Sequence, residues 1–177
     1  MNLNDLHRRL LQDVLEIGNA FPLVITGGYA VQAHRLVDRF SRDIDMATDS
    51  TVMMGTIVTV VVEGLSGRGW RVEVIGVDHH GARMMATDQG SGEQCELDIL
   101  RESFSRPPEA TPYGPVLALD DVIGTKVRAL AGRGCRVTLS TSTPLLAFAP
   151  VLNWRLSFRD PAPGLPRSPS TAVRGRP

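Results

Sequence analysis

The chain has 177 residues, 42% of them hydrophobic and 21% charged, an ordinary globular composition with length for one domain and a substantial core. Formal net charge is zero, so no global field draws the chain to nucleic acid or to a membrane. No apolar run reaches the length of a membrane-spanning helix, and Cys95 and Cys135 stand in no C-x-x-C pair or His-spaced cluster, so each reads as a lone buried thiol.

Residues 1–20 are polar and amphipathic, without the character of a signal peptide, and the cytoplasm is the expected location. Leu3, Leu6, Leu10, Leu11, Val14, Leu15 and Ile17 recur near helical spacing, which predicts a helix over 3–18 with Asn4 or Asn2 as its cap. Phe21-Pro22 breaks it. The run Leu23 to Thr26 reads as a short buried strand ending on Gly27-Gly28, and Tyr29 to Val37 returns to helical spacing. Asp43 to Ala47 alternates acid and apolar, the period of a strand. Residues 51–66 are two-sided. Thr56 to Val62 has β propensity, but the length of the stretch, a cap at Ser50 or Thr51 and the closing Gly64, Gly67 and Gly69 favour a helix.

Trp70–Val77, Arg83–Thr87 and Gln94–Leu100 read as three strands, with Gly90-Ser91-Gly92 turning between the last two. Residues 101–115 read as a Pro-rich loop, and Asp120 or Asp121 caps a helix running to about Leu130. The texture then changes. After Gly132 there are seven Arg and a single acid, Asp160, so this segment carries +6 and the rest of the chain −6. It lacks Lys and sustained periodicity, and 160–177 has the composition of a disordered segment.

The chemistry concentrates between Gly27 and Asp98. Residues two apart on a strand face the same side, so Asp43 and Asp45 point one way and Ile44 and Met46 the other. Two carboxylates one strand-step apart repel unless a cation lies between them, and oxygen-only ligands suit Mg²⁺. Glu96 and Asp98 repeat the pattern, and a third carboxylate from a neighbouring strand could complete a two-metal site of the kind that clamps attacking and leaving oxygens in phosphoryl or nucleotidyl transfer. Gly27-Gly28, between a strand and a helix, is a place where backbone N–H groups converge on an anion. Each piece alone has a plain structural explanation, a turn or a solvated strand face; the order of the pieces is what points to a site.

That order, G-G-Y-A, R-F-S-R-D-I-D-M, E-L-D-I-L and K-V-R-A-L, resembles the nucleotidyltransferase superfamily over roughly residues 5–133, and within it the AbiEii/AbiGii toxin-like group, which is itself similar to aminoglycoside nucleotidyltransferases. The resemblance implies an α/β (α+β) fold, a short mixed sheet flanked by helices with the acids solvent-facing on adjacent strands, because unpaired buried carboxylates are costly. It implies a catalytic core over 1–133 and an atypical tail over 134–177. Asp43 and Asp45 would ligate Mg²⁺ (or Mn²⁺), and Asp98, less favourably Glu96, would be the third carboxylate and activate the attacking hydroxyl. Gly27 and Gly28 would hold the triphosphate, Ser41 and Arg39 would touch phosphate, and Lys126, the chain's single Lys, would neutralise phosphate charge. The implied reaction moves a nucleoside monophosphate from an NTP to an acceptor, tRNA or other RNA in toxin members, with a cognate antitoxin as partner.

The tail departs from this pattern. Members of the group continue after the lysine helix with a segment such as R-D-F-I-D, whereas no acid follows Asp121 here until Asp160. One GC-rich back-translation of Cys135 onward, read two bases later, spells Pro-Arg-Asp-Phe-Ile-Asp-Val-His-Ala-Ala-Ala-Arg. A frameshifted tail therefore competes with a divergent one, and it carries the expectation of marginal stability and weak or no turnover. The alternatives to an RNA-directed enzyme are a catalytically dead, frameshifted NTP-binding remnant and a small-molecule, aminoglycoside-type nucleotidyltransferase.

Overall fold

A computed structural model describes residues 1–37 and 40–131. Cys135, Arg39 and the tail over 134–177, with the disorder expected for 160–177, lie outside the described residues. Helix α1, Asp5–Ile17, begins where Asn4 accepts the backbone N–H of His7 at 2.7 Å. The short strand β1, Val24–Ile25, leads into α2, Gly27–Ala33. Strand β2, Asp43–Thr48, is followed by α3, Met54–Ser66, so the helical expectation for the β-branched stretch holds. Strands β3, Trp70–Val77, β4, Gly81–Asp88, and β5, Gln94–Arg101, form a meander. Two further strands, β6, Glu109–Thr111, and β7, Gly114–Val116, precede α4, Leu119–Ala131.

The seven strands form one mixed sheet in the order β3-β4-β5-β2-β1-β7-β6. Strand β2 lies at its centre, parallel to β5 and antiparallel to β1. Its even residues Ile44 and Met46 join Leu97 and Ile99 of β5, Leu10, Leu11 and Val14 of α1, and Ile57, Val61 and Leu65 of α3 in the apolar core. Alternation thus sends the apolar half of β2 to one face and its acids to the other. The far edge is tied to α1 by polar contacts. Trp70 donates its indole N–H to Asp13 at 2.8 Å, Arg9 lies 4.7 Å from the Trp70 ring centroid, and Arg9 pairs with Asp88 at 2.6 Å. Asp88 also accepts both the N–H and the hydroxyl of Ser91, which shapes the turn where Gly92 adopts φ +76°.

Four local expectations change. The helix expected over Tyr29–Val37 ends at Ala33, because His34 and Arg35 turn the chain, Arg35 at φ +57°. Helix α3 starts at Met54 with Met53 in the cap position and no side-chain cap; Ser50 instead accepts the N–H of Val52, an earlier turn. The loop over 101–115 contains the β6–β7 hairpin, whose β7 pairs in parallel with β1 through Ile25 and Val116. Neither Asp120 nor Asp121 stands before α4 as a cap; both lie inside its first turn, and Asp121 accepts the N–H groups of Ser105 and Arg106, each at 3.0 Å, pinning that loop.

Candidate active site

Register brings the acids together. Asp43 is paired with Glu96 and Asp45 with Asp98 across the parallel β2–β5 ladder, and Arg83 of β4 is paired with Asp98 on the next strand over. Paired residues share a face, so four carboxylates and one guanidinium stand on the side opposite the apolar core. That side is covered. Asp43, Asp45 and Asp98 are 5%, 2% and 1% exposed, which corrects the expectation of solvent-facing acids. Part of the cover comes from the first turn of α2, where Gly27 lies against Asp45 and Gly28 against Ser41, while the Arg83 guanidinium lies on Asp98.

Gly27 has φ +62°, and a Cβ there would overlap Asp45 Oδ2. A Cβ on Gly28 would overlap Ser41 Oγ, and Ser41 in turn donates to Asp43 Oδ1 at 2.9 Å. Gly27 is therefore required by its backbone conformation and by Asp45, while a side chain at Gly28 would push the Ser41 hydroxyl off Asp43. Neither carboxylate oxygen of Asp45 accepts a hydrogen bond of good geometry. Burial, reinforced by the Asp43 charge, pushes its carboxyl up to about 7, while Lys126 and the Gly28 N–H act in the opposite direction. Lys126 itself is buried. Residues 27, 28, 41, 43, 45, 98 and 126, singled out from the sequence, thus converge on one place.

Arg83 was not among them. It is 6% exposed and holds Asp98 in a fork, Nε to Oδ1 at 3.1 Å and Nη2 to Oδ2 at 3.2 Å. The same Nε lies 3.1 Å from Glu96 Oε1, a charge contact outside hydrogen-bond angles. Burial pushes the Asp98 carboxyl up to about 8 against the pull of Arg83. A partial signal existed in the sequence: Arg83 and Thr87 fall on the strand face opposite Ala82, Met84 and Ala86, with Met85 between them. Only strand order and register show that this is the face of the acids.

Behind the glycine turn, Tyr29 is buried, and its hydroxyl and His7 Nδ1 are hydrogen-bonded at 2.5 Å. Burial lowers the His7 pKa and raises that of Tyr29. Cys95 is buried beside these acids, and burial pushes its thiol up to about 12, which fits an inert core residue.

The donor set suits a hard divalent cation at Asp43 and Asp45: oxygen ligands on one strand face, one of them buried with both oxygens lacking hydrogen-bond partners. Among the described residues, no three His, Cys, Asp or Glu side chains stand in a ready-made metal cluster. Asp98, the third carboxylate expected at the metal, has both oxygens in contact with Arg83.

Comparison with known proteins agrees with this architecture. The family model for the nucleotidyl transferase AbiEii toxin of type IV toxin–antitoxin systems matches residues 9–138. The crystal structure of JHP933 from Helicobacter pylori is similar with a TM-score of 0.50 at 16% identity, over 72% of this chain and 59% of that one. A candidate nucleotidyltransferase from H. pylori is similar with a TM-score of 0.51 at 14% identity, over 71% and 59%. At such identities the likeness is one of fold, and the chain spans about three-fifths of the length of those structures. No curated protein matches the sequence. No helix among the described residues is long and apolar enough to cross a membrane.

Proposed function

We propose, since the chain belongs to the AbiEii nucleotidyl transferase toxin family, that it transfers a nucleoside monophosphate from an NTP to an acceptor hydroxyl in a Mg²⁺-dependent reaction, with Mn²⁺ as a substitute. The observation that carries this reading is Asp45: a buried carboxylate whose oxygens lack hydrogen-bond partners, one strand-step from Asp43 and pressed against a glycine turn. Asp43 and Asp45 would hold the ion, which supplies charge neutralisation at the phosphates. Gly27 and Gly28 let a triphosphate approach the backbone; α2 has only seven residues, so local N–H groups contribute more than a helix dipole. Ser41 orients Asp43 and lies beside the same turn. Lys126 places a positive charge next to Asp45 and the incoming phosphates.

In the reaction, the acceptor oxygen forms a bond to the α-phosphorus, the bond from that phosphorus to the β-bridging oxygen breaks, and pyrophosphate leaves. The proton of the acceptor hydroxyl passes to Asp98. RNA, tRNA in particular, is the acceptor class we propose, on the resemblance to toxin-like nucleotidyltransferases, and an antitoxin is the partner that membership of a toxin–antitoxin family favours. A second reading, an NTP-binding remnant without turnover, is favoured by the Arg83 fork on Asp98 and by the change of texture after Gly132.

The test incubates the purified chain with Mg²⁺, each labelled NTP and total RNA, beside Asp45→Asn and a version with the tail reading frame repaired. Label on RNA, absent with Asp45→Asn, supports the enzyme. Label only from the repaired version supports the frameshifted remnant. If neither labels RNA but an aminoglycoside accepts label, the acceptor is a small molecule.

A further inference from the structure

We infer that Arg83 is a positioning residue that takes the place of a second cation, so that the site holds one divalent ion, at Asp43 and Asp45, and not two. The inference rests on the metal-dependent reading above. A two-metal site needs the carboxylate shared between the two strands to turn its oxygens to metal. Here both oxygens of Asp98 are engaged by the guanidinium, at 3.1 and 3.2 Å, and the same Nε reaches Glu96. Arginine suits this role because its charge does not titrate and its planar fork matches a carboxylate in two bonds at once.

The arrangement is rigid on both sides. Arg83 and Asp98 are 6% and 1% exposed and are direct partners in the β4–β5 register, so neither has solvent to swing into. Charge points the same way: at Asp98 the buried guanidinium already supplies the positive charge that a second cation would bring, which leaves one divalent ion to seat. Its natural seat is the end of the cluster away from Arg83, where Asp45 keeps both oxygens without hydrogen-bond partners. A second divalent ion beside Asp98 would have to displace a buried, doubly bonded guanidinium or sit against its positive charge. Asp98 then keeps its role as proton acceptor, with its orientation set by Arg83.

The experiment counts bound Mn²⁺ by electron paramagnetic resonance, with the protein in excess over a nonhydrolysable NTP analogue. Wild type is expected to retain one Mn²⁺ per bound analogue and Arg83→Met two, a doubling, because Glu96 and Asp98 become available as ligands. Arg83→Lys keeps a positive charge and is expected to retain one. Circular dichroism checks that each variant folds. If Arg83→Met does not fold, the wild-type count still decides: one ion supports the inference and two overturn it. Two ions in wild type, or one in a folded Arg83→Met, overturn the inference and leave the nucleotidyltransferase reading standing. Retention of neither Mn²⁺ nor analogue by wild type removes that reading and the inference with it.

Discussion

Replacing Asp45 by Asn removes one negative charge from the face where Asp43, Glu96 and Asp98 also stand, and keeps the shape of the side chain. Asp45 is 2% exposed. Burial, then Asp43, pushes its carboxyl up to about 7, whereas an unfolded chain ionises the same group at about 4. For an acid whose folded value is raised, the folded state is favoured most below the unfolded value and loses stability as pH rises from about 4 to 7. At pH 8 the whole gap acts against the ion-free fold, on the order of 4 kcal/mol at about 1.4 kcal/mol per unit. Asparagine does not ionise, and sharing of the load among coupled neighbours leaves about 2 kcal/mol as the realised gain. For a domain of this size that is about 5–10 °C in Tm. In EDTA at pH 8, Asp45→Asn is therefore expected to melt above wild type by that amount, with the gap narrowing at pH 5, where wild-type Asp45 is itself protonated. Mg²⁺ with ATP should then raise the wild-type Tm and leave that of the variant unchanged. A variant melting at or below wild type in EDTA at pH 8, or a gap that widens at pH 5, would refute the reasoning.

Gly27→Ala combines a left-handed backbone conformation with a Cβ that overlaps the Asp45 carboxylate; urea denaturation is expected to show a loss of about 2–4 kcal/mol, and fluorescent NTP-analogue binding a loss of at least about tenfold, a shift of about 1.4 kcal/mol. Lys126→Met leaves Asp45 without the nearby cation that opposes its raised pKa; equilibrium dialysis with the same analogue should show affinity lower by about ten- to a hundredfold, near 1.4–2.8 kcal/mol, and an unchanged affinity would remove Lys126 from the site. His7 has its pKa lowered from 6.5, chiefly by burial with Asp43 opposing, so the unfolded chain takes up a proton that the folded chain resists. The stability owed to neutral His7 is present above 6.5 and is lost as pH falls through that value. Melts of wild type and His7→Gln across this range should show wild type losing Tm faster on acidification, and parallel curves would place the titration elsewhere. Trp70→Phe removes the indole N–H from Asp13 and weakens the stacking of Arg9, for an expected cost of about 1–2 kcal/mol by chemical denaturation.

Local pattern carried much of this protein. The acid–apolar alternation of Asp43 to Met46 named a strand and its two faces, because side-chain direction along a strand has period two whatever the strand pairs with. The spacing of Leu3 to Ile17 named α1, and Asn4 its cap, because both depend on contacts within a turn or two of chain. The Gly-Gly pair, the four carboxylates and Lys126 could be picked out as residue types suited to one chemistry. Other features depended on partners distant in sequence. The β6–β7 hairpin is hard to see as strands of three residues, since what makes them strands is pairing with each other and of β7 with Ile25. Asp121 has the composition of a cap but serves loop residues 105 and 106, brought to it by the fold. The acids were expected in water, and tertiary packing buried them: Asp45 against Gly27, which has no side chain to hold α2 away, and Asp98 under the Arg83 guanidinium. Arg83 is an ordinary strand arginine until β4 is laid beside β5 in register, when it becomes the counter-charge to Asp98. Sequence alone thus determined which residues face together along each strand and helix, a property of backbone periodicity. Only the tertiary structure decided which faces meet, and with them the burial and charge pairing that set the chemistry of the site, since those depend on distances between residues far apart in the chain.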